Sequence, residues 1–280
     1  MTNVKIVTDS TIDIDQSIID NLNIEVVPLS IIIDGHSYID RFGIKPDEFM
    51  NKMKVSKELP KSSQPAVGTF VEVYNRLGAD GSKVLSIHMT GGMSGTVSSA
   101  ESASNMSDSD VTVVDSRFIS FALSFQVVEA AKMAKEGKTI EEILVRLDEV
   151  QKHTNLYLMV DTLENLVKGG RIGRGKALIG SLLNIKPIAS LADGVYTPVN
   201  KVRSHSQVIK FYTKQFKEDI AGKKVKGVGI AHAGCIKLAQ TLKDAIQEVS
   251  GFEDTQISFT TPVISTHTGP GALALMYHAE

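Results

Sequence analysis

The sequence is poor in the features that mark secreted and membrane-spanning proteins. Its 280 residues include one cysteine, Cys235, which excludes an intrachain disulfide and is typical of proteins in a reducing compartment. The N-terminus lacks the charged and apolar regions of a signal peptide. No uncharged apolar run approaches the roughly 20 residues needed to span a bilayer. We therefore expect a cytoplasmic protein with at most transient membrane contact.

An excess of one charge and clustered metal ligands are also lacking. The 30 lysines and arginines are balanced by 32 aspartates and glutamates, for a net charge of −2. Because no strongly basic run occurs, the composition argues against nucleic acid as the main partner. His88, His205 and His232 are scattered without the spacing of metal ligands, so we expect no metal site.

What the sequence does contain is an alternation of short β-rich runs with helical patterns. Residues 4–10, 83–89 and 111–116 are compact apolar runs typical of strands. Their alternation with helical patterns predicts an α/β fold with a mostly parallel sheet in the first half. The length is sufficient for one large or two moderate domains, each with a buried core.

Turn and cap signals mark the boundaries of several elements. Asp34-Gly35 lies between apolar runs and predicts a β-hairpin. Apolar residues recur at helical spacing from Phe125 to Glu136. Thr139 and Glu142 then form a capping box, which predicts the start of a further helix.

The second half predicts another small α/β unit. A strand and a glycine-rich segment over 166–183 precede a hairpin that turns at Asp193-Gly194. Ser204 is placed to cap a helix, and a strand–helix–strand pattern follows. We therefore predict two α/β domains, residues 1–160 and 161–280, with a cleft between them.

The segment around Ser94 is a candidate anion site. Glycines and small residues follow a predicted strand and precede a helix, an arrangement that binds anions at the helix N-terminus. The Ser94 hydroxyl either contacts such an anion or caps the helix. A nucleophile elbow is disfavoured because Gly95 comes one position early. A phosphate loop is disfavoured because no Gly-Lys-Ser/Thr sequence closes it. A phosphate, an oxyanion and a carboxylate all remain as possible ligands.

Two further polar segments could contact a ligand. Ser62 and Ser63 lie in a predicted loop before Pro65, where their hydroxyls either reach a ligand or belong to a surface turn. His267 precedes Gly269-Pro270-Gly271 in another predicted loop, a better place for a ligand contact than an apolar face.

Two arginines are candidates for binding an anionic group. Arg171 lies in a glycine-rich run and either grips a phosphate or a partner's carboxylates, or belongs to a solvated loop. Arg203 ends a predicted strand and is a similar candidate.

Five short segments occur in a characteristic order along nearly the whole chain. They are Val7–Thr11 (VTDST), Ser62–Pro65 (SSQP), Ser94–Thr96 (SGT), Lys168–Ile172 (KGGRI) and His267–Leu275 (HTGPGALAL). Each is weak alone, but the ordered set is specific, and through it the chain resembles the DegV family of bacterial lipid-binding proteins. Within that family it is similar to the fatty-acid-binding subunit of bacterial fatty acid kinase.

The resemblance implies two α/β domains that enclose one long-chain fatty acid, with its carboxylate near the surface and its tail buried. Threonine is common in the family at the position of Ser62, and serine keeps the hydroxyl. The residues that would bind the carboxylate are Ser62, Ser63, Ser94, Gly95, Thr96 and His267. Arg171 and Arg203 would contact the kinase subunit.

The same resemblance implies that the chain is not an enzyme alone and has no cofactor of its own. It would present the fatty acid to a separate kinase subunit, which brings ATP and Mg²⁺. The product would be an acyl phosphate, through which exogenous fatty acid enters phospholipid. Two alternatives remain. One is a serine esterase or acyltransferase with Ser94 as nucleophile and His267 as base. The other is a lipid sensor without a kinase partner.

Overall fold

The computed structural model describes residues 3–178 and 185–280. The end of the glycine-rich segment predicted over 166–183 therefore lies outside the described residues. Three sheets organise the described part of the chain.

The first sheet is parallel, as the alternation of strands and helices predicts. Its strands are β1 (Val4–Asp9), β2 (Ile24–Val27), β6 (Lys83–His88) and β7 (Val111–Asp115), in the order β2-β1-β6-β7. The helices between and after these strands are α1 (Gln16–Leu22), α3 (Val67–Gly78), α4 (Thr96–Ser104), α5 (Ser120–Lys135) and α6 (Ile140–Lys152). The predicted capping box at the start of α6 is confirmed by the Thr139 and Glu142 hydrogen bonds.

A small antiparallel sheet follows β2 along the chain. It consists of β3 (Ser30–Ile33), β4 (His36–Ile39) and β5 (Lys61–Ser63), in the order β4-β3-β5, and α2 (Pro46–Val55) lies between β4 and β5. The predicted hairpin is confirmed, since Asp34 and Gly35 both have positive φ, 46° and 83°. The loop predicted around Ser62 and Ser63 is wrong, because both residues lie in β5.

The second large sheet is mixed. Its strands are β8 (Thr154–Met159), β9 (Lys186–Ser190), β10 (Thr197–Val202), β11 (Val225–His232), β12 (Thr255–Phe259) and β13 (Leu273–Ala279), in the order β10-β9-β8-β13-β11-β12. Of these pairs, β11 and β12 are parallel and the others antiparallel. Its helices are α7 (Glu164–Lys168), α8 (His205–Asp219), α9 (Ile236–Ser250) and α10 (Pro262–Thr268). Asp193 and Gly194 form the predicted turn of the β9–β10 hairpin, both with positive φ.

The predicted domain boundary falls next to β8. This strand ends at Met159 but pairs with β13 and β9 of the mixed sheet, so the first residues of that sheet precede residue 160. The division of the chain at residue 160 stays a prediction.

Helix α5 lies between the two large sheets. It contacts β1 on one side and β11 and β13 on the other, which is why it is apolar on most of its circumference rather than along one stripe. Gly227 and Gly229 in β11 make room for it, since a β-carbon on Gly229 would lie 2.2 Å from the Phe121 ring. The helix begins at Ser120, so the prediction of a start at Phe125 was too late.

Helix α10 corrects the prediction for the end of the chain. His267 was predicted to lie in a loop, whereas it belongs to this short helix, which begins at Pro262. Thr261 is its N-cap and Pro262 its first residue, a combination that favours a helix start. His267 lies in its last turn. Within the described ranges, every helix is too short or too polar to cross a bilayer.

Candidate functional site

The candidate site is built on a hydrogen bond between distant parts of the chain. Oγ of Ser62 in β5 lies 2.7 Å from Nε2 of His267 in α10. Successive strand side chains point to opposite faces, so Ser62 faces α10 while Ser63 faces solvent and is exposed. The structure therefore brings Ser62 and His267 together and leaves Ser63 outside the pair.

Ser94 lies beside this pair, at the start of α4. The N-cap residue of the helix is Gly95, and Ser94 precedes it. Oγ of Ser94 lies 2.8 Å from Oγ1 of Thr96 and accepts the Thr96 N–H at 3.3 Å. Ser94 also lines the same cavity as Ser62 and His267. Its hydroxyl thus organises the helix start and lies where a ligand can reach it.

Gly95 allows β5 to approach this turn. A β-carbon on Gly95 would lie 2.6 Å from Nε2 of Gln64, the residue that follows β5. Any side chain at this position would push Gln64 away. The Gln64 side chain therefore packs directly against the glycine of the Ser94 turn.

Gly92 has a different role, at a contact between the two halves of the chain. A β-carbon there would lie 2.6 Å from the carbonyl oxygen of Gly194, at the turn of the β9–β10 hairpin. The Thr90 hydroxyl donates a 2.7 Å hydrogen bond to the same carbonyl. The glycine at 92 is therefore required by packing against the hairpin.

Arg171 contributes a positive charge to the site. Its Nε donates to the carbonyl of Met93 at 3.0 Å, and its Nη1 donates to the carbonyl of Gly169 at 2.6 Å. These two bonds hold the guanidinium at the cavity wall beside His267. Two of its nitrogens already donate to backbone carbonyls, so the guanidinium is fixed in place. It has no free pair of adjacent N–H groups with which to bind both oxygens of a carboxylate.

His267 is neutral near pH 7. Burial, and then the charge of Arg171, lower the pKa of its imidazole to about 4. Its Nδ1 is buried and has no hydrogen-bond partner among the described residues. That nitrogen faces Gly169, where an added β-carbon would lie 2.4 Å away.

Two adjoining cavities extend from these polar groups into the space between the two halves. The first, next to the polar groups, contains about 500 Å³ of empty space including its opening. Its apolar walls come from Leu29, Met89, Met93, Ile119, Leu158, Leu166, Val263 and Ile264. The second contains about 330 Å³ of empty space, likewise including its opening, and shares Ile119, Leu158, Ile264 and Thr268 with the first.

The deeper cavity is also surrounded by apolar groups, although hydroxyl residues are among its neighbours. Ser120 and Thr260 line it, but both hydroxyls donate away from it, to the buried carboxylate of Asp13. The Thr268 hydroxyl donates to the carbonyl of Ile264 in its own helix. An apolar chain entering from the polar end would therefore meet hydrocarbon along this path.

The remaining predicted site residues are placed differently. Thr96 is buried behind Ser94, at the first position of α4. Arg203 is exposed and lines a separate surface groove between β10 and α8, together with Lys201, Lys210 and Lys214. The structure thus brings Arg171 to the Ser62–His267 pair and leaves Arg203 outside it. Within residues 3–178 and 185–280, no three His, Cys, Asp or Glu side chains cluster as metal ligands would.

The sequence-based prediction did not identify the residues that form the apolar wall of the cavity. Leu29, Met89, Ile119 and Leu158 look like ordinary core residues, because hydrophobic patterning does not distinguish a side chain that packs against protein from one that borders a cavity. The N-cap and proline at Thr261-Pro262 are a sequence signal that could have predicted α10 and the position of His267.

The sequence matches the model of the DegV family of uncharacterised proteins over residues 3–280. The chain belongs to the DegV family. A DegV domain-containing protein of Staphylococcus aureus (strain MRSA252) is 41% identical over 276 residues, which cover 99% of each chain. One from Listeria monocytogenes is 42% identical over 281 residues and the full length of both.

Solved structures of DegV proteins share the whole fold. A fatty-acid-binding DegV family protein from Thermus thermophilus superposes with a TM-score of 0.92 at 30% identity, covering 100% of both chains. DegV of Bacillus subtilis, described as a fatty acid binding protein, gives 0.93 at 32% identity, also over 100% of both. The mixed α/β architecture predicted from the sequence is therefore confirmed.

Proposed function

We propose that this DegV protein binds one long-chain fatty acid, with the carboxylate at Ser62, Ser94 and His267 and the tail in the two adjoining cavities. The observation that carries the proposal is the Ser62–His267 hydrogen bond at the polar end of an otherwise apolar cavity. The fatty-acid-binding relatives from T. thermophilus and B. subtilis support the choice of ligand.

Burial of the tail supplies most of the affinity in this proposal. Each buried methylene contributes about 0.8 kcal/mol, so a tail of ~14 methylenes contributes about 11 kcal/mol before the costs of association. The polar groups then have a positional role. They decide where the carboxylate lies rather than whether the lipid binds.

The neutral imidazole explains how a serine can hold an anion. With its proton on Nε2, His267 donates to Oγ of Ser62, which leaves the Ser62 hydroxyl proton to be donated to the carboxylate. The other ring nitrogen is then an acceptor without a partner, which is less costly than an unpaired buried N–H donor. The nearby Arg171 charge stabilises the bound anion electrostatically.

We further propose that the bound carboxylate is presented to a separate kinase subunit. A hydroxyl-bound carboxylate keeps one oxygen available, whereas a bidentate arginine clamp would cover both. That oxygen attacks the γ-phosphorus of ATP on the kinase, ADP leaves, and an acyl phosphate forms. The kinase supplies ATP and Mg²⁺, and the acyl phosphate allows exogenous fatty acid to enter phospholipid. Arg171, at the opening, and the exposed Arg203 are the proposed contacts with the kinase.

Binding is tested with a fluorescent or isotopically labelled long-chain fatty acid. We expect one equivalent to bind to wild-type protein after delipidation, with weaker binding by Ser62→Ala. Ser63→Ala is the matched control, since that hydroxyl faces solvent in the same strand. Absence of saturable binding by the folded, delipidated protein contradicts the proposal.

The kinase role is tested with a fatty acid kinase ATP-binding subunit, labelled ATP and the lipid-loaded protein. Acyl phosphate formation that is lost in Arg171→Ala, while fatty-acid binding is kept, supports presentation to a kinase. Fatty-acid binding without phosphoryl transfer leaves a lipid sensor as the function. Hydrolysis of a nitrophenyl acyl ester abolished by Ser94→Ala would instead favour the esterase. The hydrogen bond of Ser94 to Thr96 rather than His267 gives that alternative no support.

A further inference from the structure

Two fully buried carboxylates lie behind the wall of the proposed fatty-acid site. Asp40 follows β4 and accepts the N–H of Val263 at 3.1 Å and the hydroxyl of Ser10 at 2.6 Å. The Ser10 oxygen in turn accepts the N–H of Leu29 at 3.1 Å. Val263 and Leu29 both line the cavity. Asp40 is therefore linked to two residues of its wall.

Asp13 makes a second set of such links. It follows β1 and accepts the hydroxyls of Ser120 at 2.5 Å and Thr260 at 2.8 Å, and the N–H of Thr261 at 3.2 Å. Ser120 and Thr260 line the deeper cavity. Ser120 has a positive φ of 59°, a strained conformation for serine, and its hydrogen bond to Asp13 helps to hold it there.

Both carboxylates bond to the start of α10. The N–H groups of Thr261 and Val263 lack partners within the helix, and Pro262 between them has no N–H. Asp13 and Asp40 satisfy the two donors from the first half of the chain. The opposite end of the same seven-residue helix carries His267. A displacement of its N-terminus would therefore move the imidazole relative to Ser62.

We infer that Asp13 and Asp40 are positioning residues of the lipid site, which clamp α10 so that His267 meets Ser62 and turn the wall hydroxyls away from the tail. The inference rests on the proposed fatty-acid binding. These residues do not touch the cavity space themselves and act through α10, Ser120 and Leu29. We call the pair the carboxylate clasp.

The electrostatic environment of Asp13 and Asp40 is unfavourable for two ionised carboxylates. Burial raises the pKa of Asp13 to about 6 and that of Asp40 to about 7, against the lowering effect of their hydrogen bonds. The negative charges of Asp13 and Asp9 raise the pKa of Asp40 further. Arg41 partly compensates the carboxylates while donating to the carbonyls of Ile12 and Ile14.

The clasp is tested with Asp40→Ala and Asp40→Asn. Alanine removes the acceptor for the Val263 N–H, whereas the asparagine carbonyl keeps it and the amide can donate to Ser10. We expect about tenfold weaker fatty-acid binding for Asp40→Ala, because a displaced His267 no longer orients the Ser62 hydroxyl and one hydrogen bond to the bound carboxylate is lost. Asp40→Asn should restore binding to within about threefold of wild type.

Asp219→Ala is the matched control. Asp219 accepts hydrogen bonds from Gln215, Tyr157 and Tyr277, away from α10, so its loss should lower the melting temperature without changing fatty-acid affinity. Thr260→Val is a milder second variant that keeps the wall shape and removes one donor to Asp13. Thr260→Val replaces Asp40→Ala in the test if Asp40→Ala does not fold.

A second readout separates this inference from the proposed function. In protein with ¹⁵N-labelled histidine and no lipid, the His267 Nε2 resonance should move in Asp40→Ala and in Thr260→Val, and remain unchanged in Asp219→Ala. Unchanged His267 resonances and fatty-acid affinity within twofold of wild type overturn the inference. A wild type that binds no fatty acid defeats the proposed function, while the resonance still tests the clasp.

Discussion

At the scale of single residues, the proposed site depends on hydroxyls placed by a neutral histidine. We predict that Ser62→Ala weakens long-chain fatty-acid binding about tenfold, the effect of one lost hydrogen bond to a carboxylate. Removing two methylenes from the fatty-acid tail should weaken binding to the wild-type protein by a similar factor. Titration calorimetry with both ligands measures this, and Ser63→Ala should match wild type.

The methyl ester of the same fatty acid gives a sharper comparison. It keeps the tail and lacks the anionic oxygens, so wild type and Ser62→Ala should bind it with similar affinity. A tenfold difference that persists with the ester would mean that Ser62 supports the cavity shape rather than the carboxylate.

The protonation of His267 gives a prediction for stability against pH. Because the folded-state pKa of about 4 lies below the ordinary value of 6.5, the unfolded chain binds a proton first as pH falls. The free energy of unfolding contributed by neutral His267 is therefore complete above about pH 6.5 and lost towards pH 4. Urea unfolding at several pH values should show this loss in wild type and not in His267→Gln. Equal slopes for the two proteins would contradict the assignment.

At the scale of elements, close backbone contacts join the two halves of the chain. We predict that Gly92→Ala destabilises the fold by about 1–3 kcal/mol, because its β-carbon would lie 2.6 Å from the Gly194 carbonyl and 2.7 Å from the Val195 side chain. Gly68→Ala is the control, since Gly68 lies in α3 with open space around it. It should be neutral or slightly stabilising in thermal unfolding.

The same scale shows how far the sequence alone can predict this molecule. The hairpin at Asp34-Gly35 and the capping box at Thr139 depend on local backbone chemistry, and both were predicted correctly. Helix α5 was placed too late because burial between two sheets removes the amphipathic stripe. The sequence of β5 predicts a loop because its three residues become a strand only through pairing with β3.

The site was predictable only in part, for a related reason. Ser62, Ser94, Arg171 and His267 are predicted through short segments and a family resemblance, not through any periodicity. Their convergence on one cavity is a tertiary property. The partners of the clasp are up to 248 positions apart in sequence, and no local pattern joins Asp13 to Thr261.

At the scale of the whole molecule, buried carboxylates tie the two halves together and cost stability when ionised. The pKa values of Asp13 and Asp40, about 6 and 7, lie above the ordinary 3.8. The folded protein therefore holds protons that the unfolded chain has released, and the free energy of unfolding from this source falls as pH rises from about 4 to 7.

Because His267 acts in the opposite direction, the effect of the carboxylates is measured as a difference between proteins. Between about pH 5 and 7.5, the free energy of unfolding should fall less in Asp40→Asn than in wild type, since the substitution removes the ionisation of Asp40. Denaturant midpoints at matched ionic strength measure this. A parallel dependence in both proteins would show that Asp40 does not titrate in this range.

The central claim concerns what fills the space between the two halves. The most direct measurement is mass spectrometry of the lipid extracted by solvent from protein purified from a bacterial host, quantified against protein concentration. The account predicts about one equivalent of long-chain fatty acid, which falls in a variant whose cavity is blocked by Ile264→Trp. Protein that releases no fatty acid and takes up none when it is supplied, or that releases a nucleotide instead, would contradict the account.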